Sequence, residues 1–225
     1  MLIDILFGNS SWLYIVSGVI ASLISVFVLL PVHEFSHAKA AVMLGDNTPK
    51  YSGRLTLNPF AHIDYLGAAA LILIGFGWAN PVNVNMLNFK NPKRDMALVA
   101  IAGPISNLIV ALICLVLANA VHAIGGILGD FYFILYFIFY FTASISVSLA
   151  VFNFIPVPPL DGSRVLSALL PNSTYYRLMQ YERYFTLIIF AVILLLNRTG
   201  VFANIVNGVL RLIGYIAALP FAWIG

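Results

Sequence analysis

Residues 12–32 contain no charged side chain, and neither do residues 96–124 or 131–157. Runs of this length limit the possible folds more than any motif does. About 20 apolar residues in a helix cross a bilayer core of about 30 Å. In lipid a backbone must satisfy its own hydrogen bonds, which a helix does within one segment. Composition agrees, with 62% hydrophobic residues and only 8% charged, where a soluble domain carries roughly 25% charged residues. So little polar surface excludes a soluble enzyme, a disordered chain and a disulfide scaffold. Eleven basic residues against eight acidic ones give a net charge of +3. That is too small a basic excess for a nucleic-acid binder, which needs a stripe of cations for phosphates. The chain reads as an all-α polytopic membrane protein in contact with a lipid bilayer.

The one cysteine, Cys114, lies in an apolar run and has no partner for an intrachain disulfide or a CxxC metal site. The first 30 residues do not resemble a cleaved signal peptide. Their only charge is Asp4, and the apolar run continues to Pro31.

Residues 12–32 supply a first span, with helical character expected on to Leu44. At 1.5 Å per residue such a helix is roughly 50 Å long, so it is either strongly tilted or broken near Pro31. Residues 45–65 are polar and rich in turn formers, and GRLTL at 53–57 alternates as a short strand does. Residues 66–79 are apolar but too few for a full span, which suits a re-entrant segment. Further spans are expected at 96–124, 131–157, 184–196 and 201–224, with a mixed polar segment at 160–183. The expected fold is five to six transmembrane helices with a re-entrant or short β segment near the cytoplasmic face. Basic residues mark that face. Lys50, Arg54, Lys90, Lys93, Arg94, Arg164, Arg177 and Arg183 share one side if 66–79 does not cross. This gives five crossings, an outside N-terminus and an inside C-terminus.

Ionisable groups inside hydrophobic sequence each cost about 2.5–3.5 kcal/mol at a helix centre, so each needs a reason. The sequence 33–37 reads HEFSH. His33 and His37 are i and i+4, so both imidazoles leave one helix face and can grip one metal ion. Glu34 can reach a metal-bound water without being a ligand and act as a general base. HExxH on a helix is the signature of zinc hydrolases. The competing reading is a polar knot between helices or a proton relay.

Catalytic zinc takes three protein ligands and keeps one open position. Asp161 is the strongest candidate for the third, in NFIPVPPLDG at 153–162. Its prolines break the preceding helix, and irregular backbone at membrane depth is tolerated only against protein or a watery cavity. The competing reading is a solvated Asp in a helix-terminal turn. The rivals are Asp130, expected at the opposite face, and His62 with Asp64, which read more simply as interfacial polar groups. His122 reads as surface. In GPISN at 103–107, Gly103 permits close helix approach. Asn107 is a neutral donor that can stabilise an oxyanion or hold substrate backbone, against the plainer reading of an interhelical hydrogen bond.

Taken together, HEFSH at 33–37, GPISN at 103–107 and NFIPVPPLDG at 153–162, in that order, resemble the site-2 protease family of intramembrane zinc metalloproteases, peptidase family M50. GRLTLNPFAHIDYLG at 53–67 and NPKRDMALVAIAGP further resemble its compact prokaryotic members. The resemblance covers about 30–165. It implies one Zn2+ per chain on His33, His37 and Asp161, with Glu34 as catalytic base. It also implies an active site in the membrane near its cytoplasmic side. On this reading residues 1–225 form a single membrane-embedded peptidase domain, with C-terminal helices at about 184–224. PDZ and CBS modules, present in some relatives, do not fit in this length. The family's Asn-Pro-Asp-Gly wording is replaced here by Pro159-Leu160-Asp161-Gly162.

The implied activity is regulated intramembrane proteolysis of single-pass membrane-protein substrates, with homo-oligomerisation left open. An unwound substrate can be captured by strand addition, and 53–57 and 80–87 are the candidate edges. The alternatives are a metal-binding membrane transporter, for which the sequence lacks a file of further ionisable groups, and a non-catalytic membrane-helix binder, which would not need Glu34.

Overall fold

The computed structural model describes residues 12–74, 78–128, 131–171 and 199–222. Six helices carry the architecture. They are α1 (Trp12–Met43), α2 (Tyr65–Ile74), α3 (Pro92–Ala123), α4 (Phe131–Asn153), α5 (Asp161–Leu169) and α6 (Val201–Ala218). Four of them, with α6 extended to Phe221, are long and apolar enough to cross a membrane: α1, α3, α4 and α6. The run 184–196, expected as a fifth span, lies outside the described residues.

α1 is neither cut nor ended by Pro31. Its hydrogen-bond ladder slips into a π turn at Ser25–Leu29, closed by the Leu30 N–H on the Ser25 carbonyl. Proline lacks the N–H that an α ladder needs, and a π turn is one way for a helix to absorb such a fault. The helix therefore runs past the fault to His33 and His37. Ser22, Ser25 and Ser36 turn their hydroxyls onto carbonyls four residues back, at 2.7–2.8 Å. Each thus satisfies its polar group within the helix.

α3 is the central element. Asn91 precedes it, Pro92 opens it, and the Asp95 carboxylate accepts the Asn91 N–H at 3.0 Å. Its core face is built of small residues. Ala111 and Cys114, with Leu115, pack against Ala143 and Val147 of α4 and Val206 and Leu210 of α6. Without a hydrophobic drive between helices in lipid, small residues gain stability by letting backbones approach. Leu98, Ile105, Ile109, Ile113 and Leu117 are exposed on α3, at the helical repeat of a lipid-facing stripe.

The helix directions follow from contacts at one end of the bundle. Tyr14 of α1 meets Phe137 and Phe141 of α4, with ring centroids 4.2 and 5.9 Å apart. Asn119 and His122 of α3 share a depression with Tyr215, Ala218 and Ala222. The start of α1 and the end of α6 therefore lie at the same end of the bundle. α6 runs parallel to α3.

The connection from α1 to α3 departs most from the sequence reading. Residues 53–57 form no strand. Their backbone is spent on a local turn, with the Arg54 guanidinium on the Ala61 carbonyl and the His62 ring on the Thr56 carbonyl. Among the described residues there is no sheet, and one antiparallel bridge pairs Ile63 with Ala79. α2, at ten residues, is about 15 Å long, half of what a crossing needs. Asp46 ties this connection together. Buried, it accepts the Asn85 N–H at 2.8 Å, the Asn88 side-chain amide at 2.7 Å and the Thr48 hydroxyl at 2.6 Å. Burial works against its charge, but these donors outweigh burial and hold its carboxyl below the ordinary carboxylate range.

Candidate metal centre

The polar residues of α1 sit where that helix leaves the apolar run. His33 and His37 are both buried. Their Nε2 atoms lie 3.0 Å apart, and Asp161 Oδ2 lies 3.3 Å from each. Asp161 is the first residue of α5. The turn at 154–160 carries it back under the bundle, and Gly162 permits the approach. A methyl group at 162 would collide with the Phe154 carbonyl oxygen and come within 2.7 Å of the Ile155 oxygen.

Three imidazole and carboxylate atoms within 3.3 Å of one another repel unless a proton or a metal ion lies among them. The Oδ2 atom of Asp161 is buried and takes part in no hydrogen bond. The donors of a tetrahedral zinc, bonded at about 2.0–2.1 Å, lie about 3.3 Å from one another. The observed triangle has that size. Two nitrogens and one carboxylate oxygen also suit zinc chemically. The residues present fit the ion.

Gly103 of α3 makes the room. A methyl group there would fall on His37 Nε2 and lie 2.6 Å from His33 Cε1. The sequence reading had Gly103 meet a neighbouring helix, and it meets the two imidazoles of that helix. Behind the rings, His37 Nδ1 lies 2.7 Å from the Val99 carbonyl oxygen and His33 Nδ1 lies 3.2 Å from the Asn107 side-chain amide. Val99 left no trace in the sequence, because its contribution is a backbone oxygen that any residue type carries. Ser146 of α4 donates its hydroxyl to the Asn107 carbonyl at 2.7 Å, an interhelical bond fixing α3 against α4.

Glu34 is held from outside the helices. Its Oε2 accepts the Val82 backbone N–H at 3.1 Å. Residues 80–85 carry no regular structure, and they connect the Ile63–Ala79 bridge to the Asp46 knot. The rival ligands are elsewhere. The His62 ring bonds the Thr56 carbonyl at 2.8 Å, Asp64 accepts the Gly67 N–H at 2.8 Å, and His122 bonds the Tyr132 hydroxyl at 2.7 Å. Asp130 lies outside the described residues. Among the described residues, His33, His37 and Asp161 are the one cluster of this kind.

The profile of Peptidase family M50 matches residues 120–196. A candidate zinc metalloprotease of Bacillus subtilis (strain 168), YwhC, is 41% identical over 162 residues, 72% of this chain and 74% of the relative. A candidate zinc metalloprotease of Mycolicibacterium smegmatis, Rip2, is 30% identical over 193 residues, 77% of this chain and 69% of the relative. Its Mycobacterium tuberculosis counterpart is 28% identical over 197 residues, 83% of this chain and 71% of the relative. No solved structure matches the chain. With a profile match that spans the Pro-rich turn and Asp161, and a relative that aligns over most of both chains, this chain belongs to peptidase family M50.

Proposed function

We propose that this chain is an intramembrane zinc metalloprotease that hydrolyses a peptide bond in or near a transmembrane helix of its substrate. On this reading His33, His37 and Asp161 hold the zinc and Glu34 is the general base. The observation that carries it is the convergence of three donor atoms from α1 and α5, at mutual distances of 3.0–3.3 Å, beside a carboxylate one position along α1. Bound there, zinc would lower the pKa of a water towards about 7 and polarise the scissile carbonyl.

The protein's own groups do the rest. Glu34 takes a proton from the attacking water as its oxygen bonds to the carbonyl carbon, then delivers that proton to the amine released when the C–N bond breaks. The Val82 N–H orients Glu34 and keeps it near the site. A substrate helix must unwind first, since its amides are bonded within the helix. The segment 80–85, free of regular structure, is the candidate edge for strand addition, and it is tied to the catalytic base by the Val82 contact. Residues 53–57 fold as a turn and offer no such edge.

Lys50, Arg54 and Lys90 lie in the connections at the site's end of the bundle, with Lys93 and Arg94 in the first turn of α3 and Arg164 in the first turn of α5, and residues 124–128 at the other end carry none. By the positive-inside tendency the site faces the cytoplasm. α2 enters the membrane without crossing it. The four long helices and the site act as one peptidase domain. No observation favours transport, which needs a succession of exchangeable sites across the spans.

The test is cleavage of a membrane-helix substrate by purified protein in proteoliposomes. Glu34→Gln is expected to retain zinc and lose about 10²–10⁴-fold in rate, the range of a general base. Full cleavage by that variant would refute the role of Glu34.

A further inference from the structure

Both imidazoles direct Nε2 at Asp161, so the atom behind each ring decides whether Nε2 has a lone pair to give. Behind His37 stands the Val99 carbonyl oxygen, 2.7 Å from Nδ1. A carbonyl only accepts, so Nδ1 carries the proton and Nε2 is free. Behind His33 stands the Asn107 side-chain amide, with its Nδ2 position 3.2 Å from Nδ1. The oxygen and nitrogen of such an amide are told apart only by their hydrogen bonds. If Nδ2 faces the ring, it donates to Nδ1 and drives the His33 proton onto Nε2. That proton would then sit among the atoms that must share a cation. If Oδ1 faces the ring, it accepts from Nδ1–H and leaves Nε2 free. With Nδ2 facing the ring, Oδ1 is buried without a partner. The choice falls to the His33 proton.

Asn107 is 0% exposed, and its carbonyl is pinned by Ser146 at 2.7 Å. Its amide occupies the edge of His33 opposite the shared triangle. We propose that Asn107 is a positioning residue, whose side-chain oxygen accepts the Nδ1–H of His33 and keeps that ring in the metal-binding tautomer. This rests on the zinc reading above and departs from the oxyanion or substrate-holding role that the sequence suggested. It also gives the two ligand histidines equivalent support, one from a backbone oxygen and one from a side-chain oxygen. Partners of this kind change metal affinity by about 10–100-fold when removed.

The experiment measures zinc affinity by chelator competition on the purified chain in detergent. Asn107→Leu, of similar shape but with no acceptor, is expected to bind zinc about 10–100-fold more weakly. Asn107→Asp, which keeps an acceptor at that place, is expected to stay within a few-fold of wild type. Wild-type affinity in Asn107→Leu, or equal loss in Leu and Asp variants, would overturn the proposal. Should the Leu variant not fold, nitrogen NMR of histidine-labelled wild type with zinc decides. A protonated Nδ1 on His33 is expected, and an unprotonated one overturns the proposal. His33→Ala in the same competition separates the two readings. If it keeps zinc, the ligand assignment itself fails. If it loses zinc while Asn107→Leu retains it, only the positioning role falls.

Discussion

Histidines lie against the first half of α3 and at its far end, and the two environments differ. Against the first half, His33 and His37 of α1 are buried, with Nε2 atoms converging on Asp161 and a bare Gly103 leaving space above them. At its far end, His122 is exposed, bonds the Tyr132 hydroxyl and lies against the Tyr132 and Tyr136 rings. A histidine in an apolar chain is thus no marker of chemistry. The marker is a set of buried imidazole and carboxylate atoms aimed at one point, together with backbone that gives up volume there.

Several changes sharpen this contrast, from the largest effect to the smallest. Gly103→Ala places a methyl group on His37 Nε2. Overpacking of a filled site costs about 1–3 kcal/mol, and here it is expected to displace the ligand triangle. Zinc content measured on the purified variant should fall well below one per chain, with cleavage falling in parallel. Val82→Pro removes the N–H that holds Glu34. A hydrogen bond to a charged group contributes about 1.5–3 kcal/mol, so kcat should fall about 10–100-fold while zinc content stays at the wild-type level. Loss of zinc in that variant would show that the 80–85 segment supports the metal ligands rather than the base. His122→Ala should leave both zinc content and cleavage within about two-fold of wild type, as a surface substitution does. A large loss of either would erase the distinction between the two ends.

Much of this contrast was legible in the sequence, and the reasons are specific. The i, i+4 spacing of His33 and His37 survives any detail of packing, because a helix fixes it. Asp161 stood out because three prolines interrupt an apolar run just before it. What could not be read is what backbone atoms do. The Val99 carbonyl behind His37 and the Val82 N–H on Glu34 have no side-chain signature. The π turn at Ser25–Leu29 was visible only as a fault near Pro31. GRLTL misled because alternation is compatible with any extended segment, and Arg54 and His62 commit that backbone to a turn instead. The direction of α6 depends on how it packs beside α3, which hydropathy alone does not encode.

The central claim is that two imidazoles of α1 and the first carboxylate of α5 share one ion. Metal analysis of the purified wild type beside His33→Ala and Asp161→Ala tests it most directly. One zinc per chain in the wild type, lost from both variants, is the predicted result. A wild type that cleaves at full rate without metal, or an Asp161→Ala variant that holds zinc at full affinity, would contradict it.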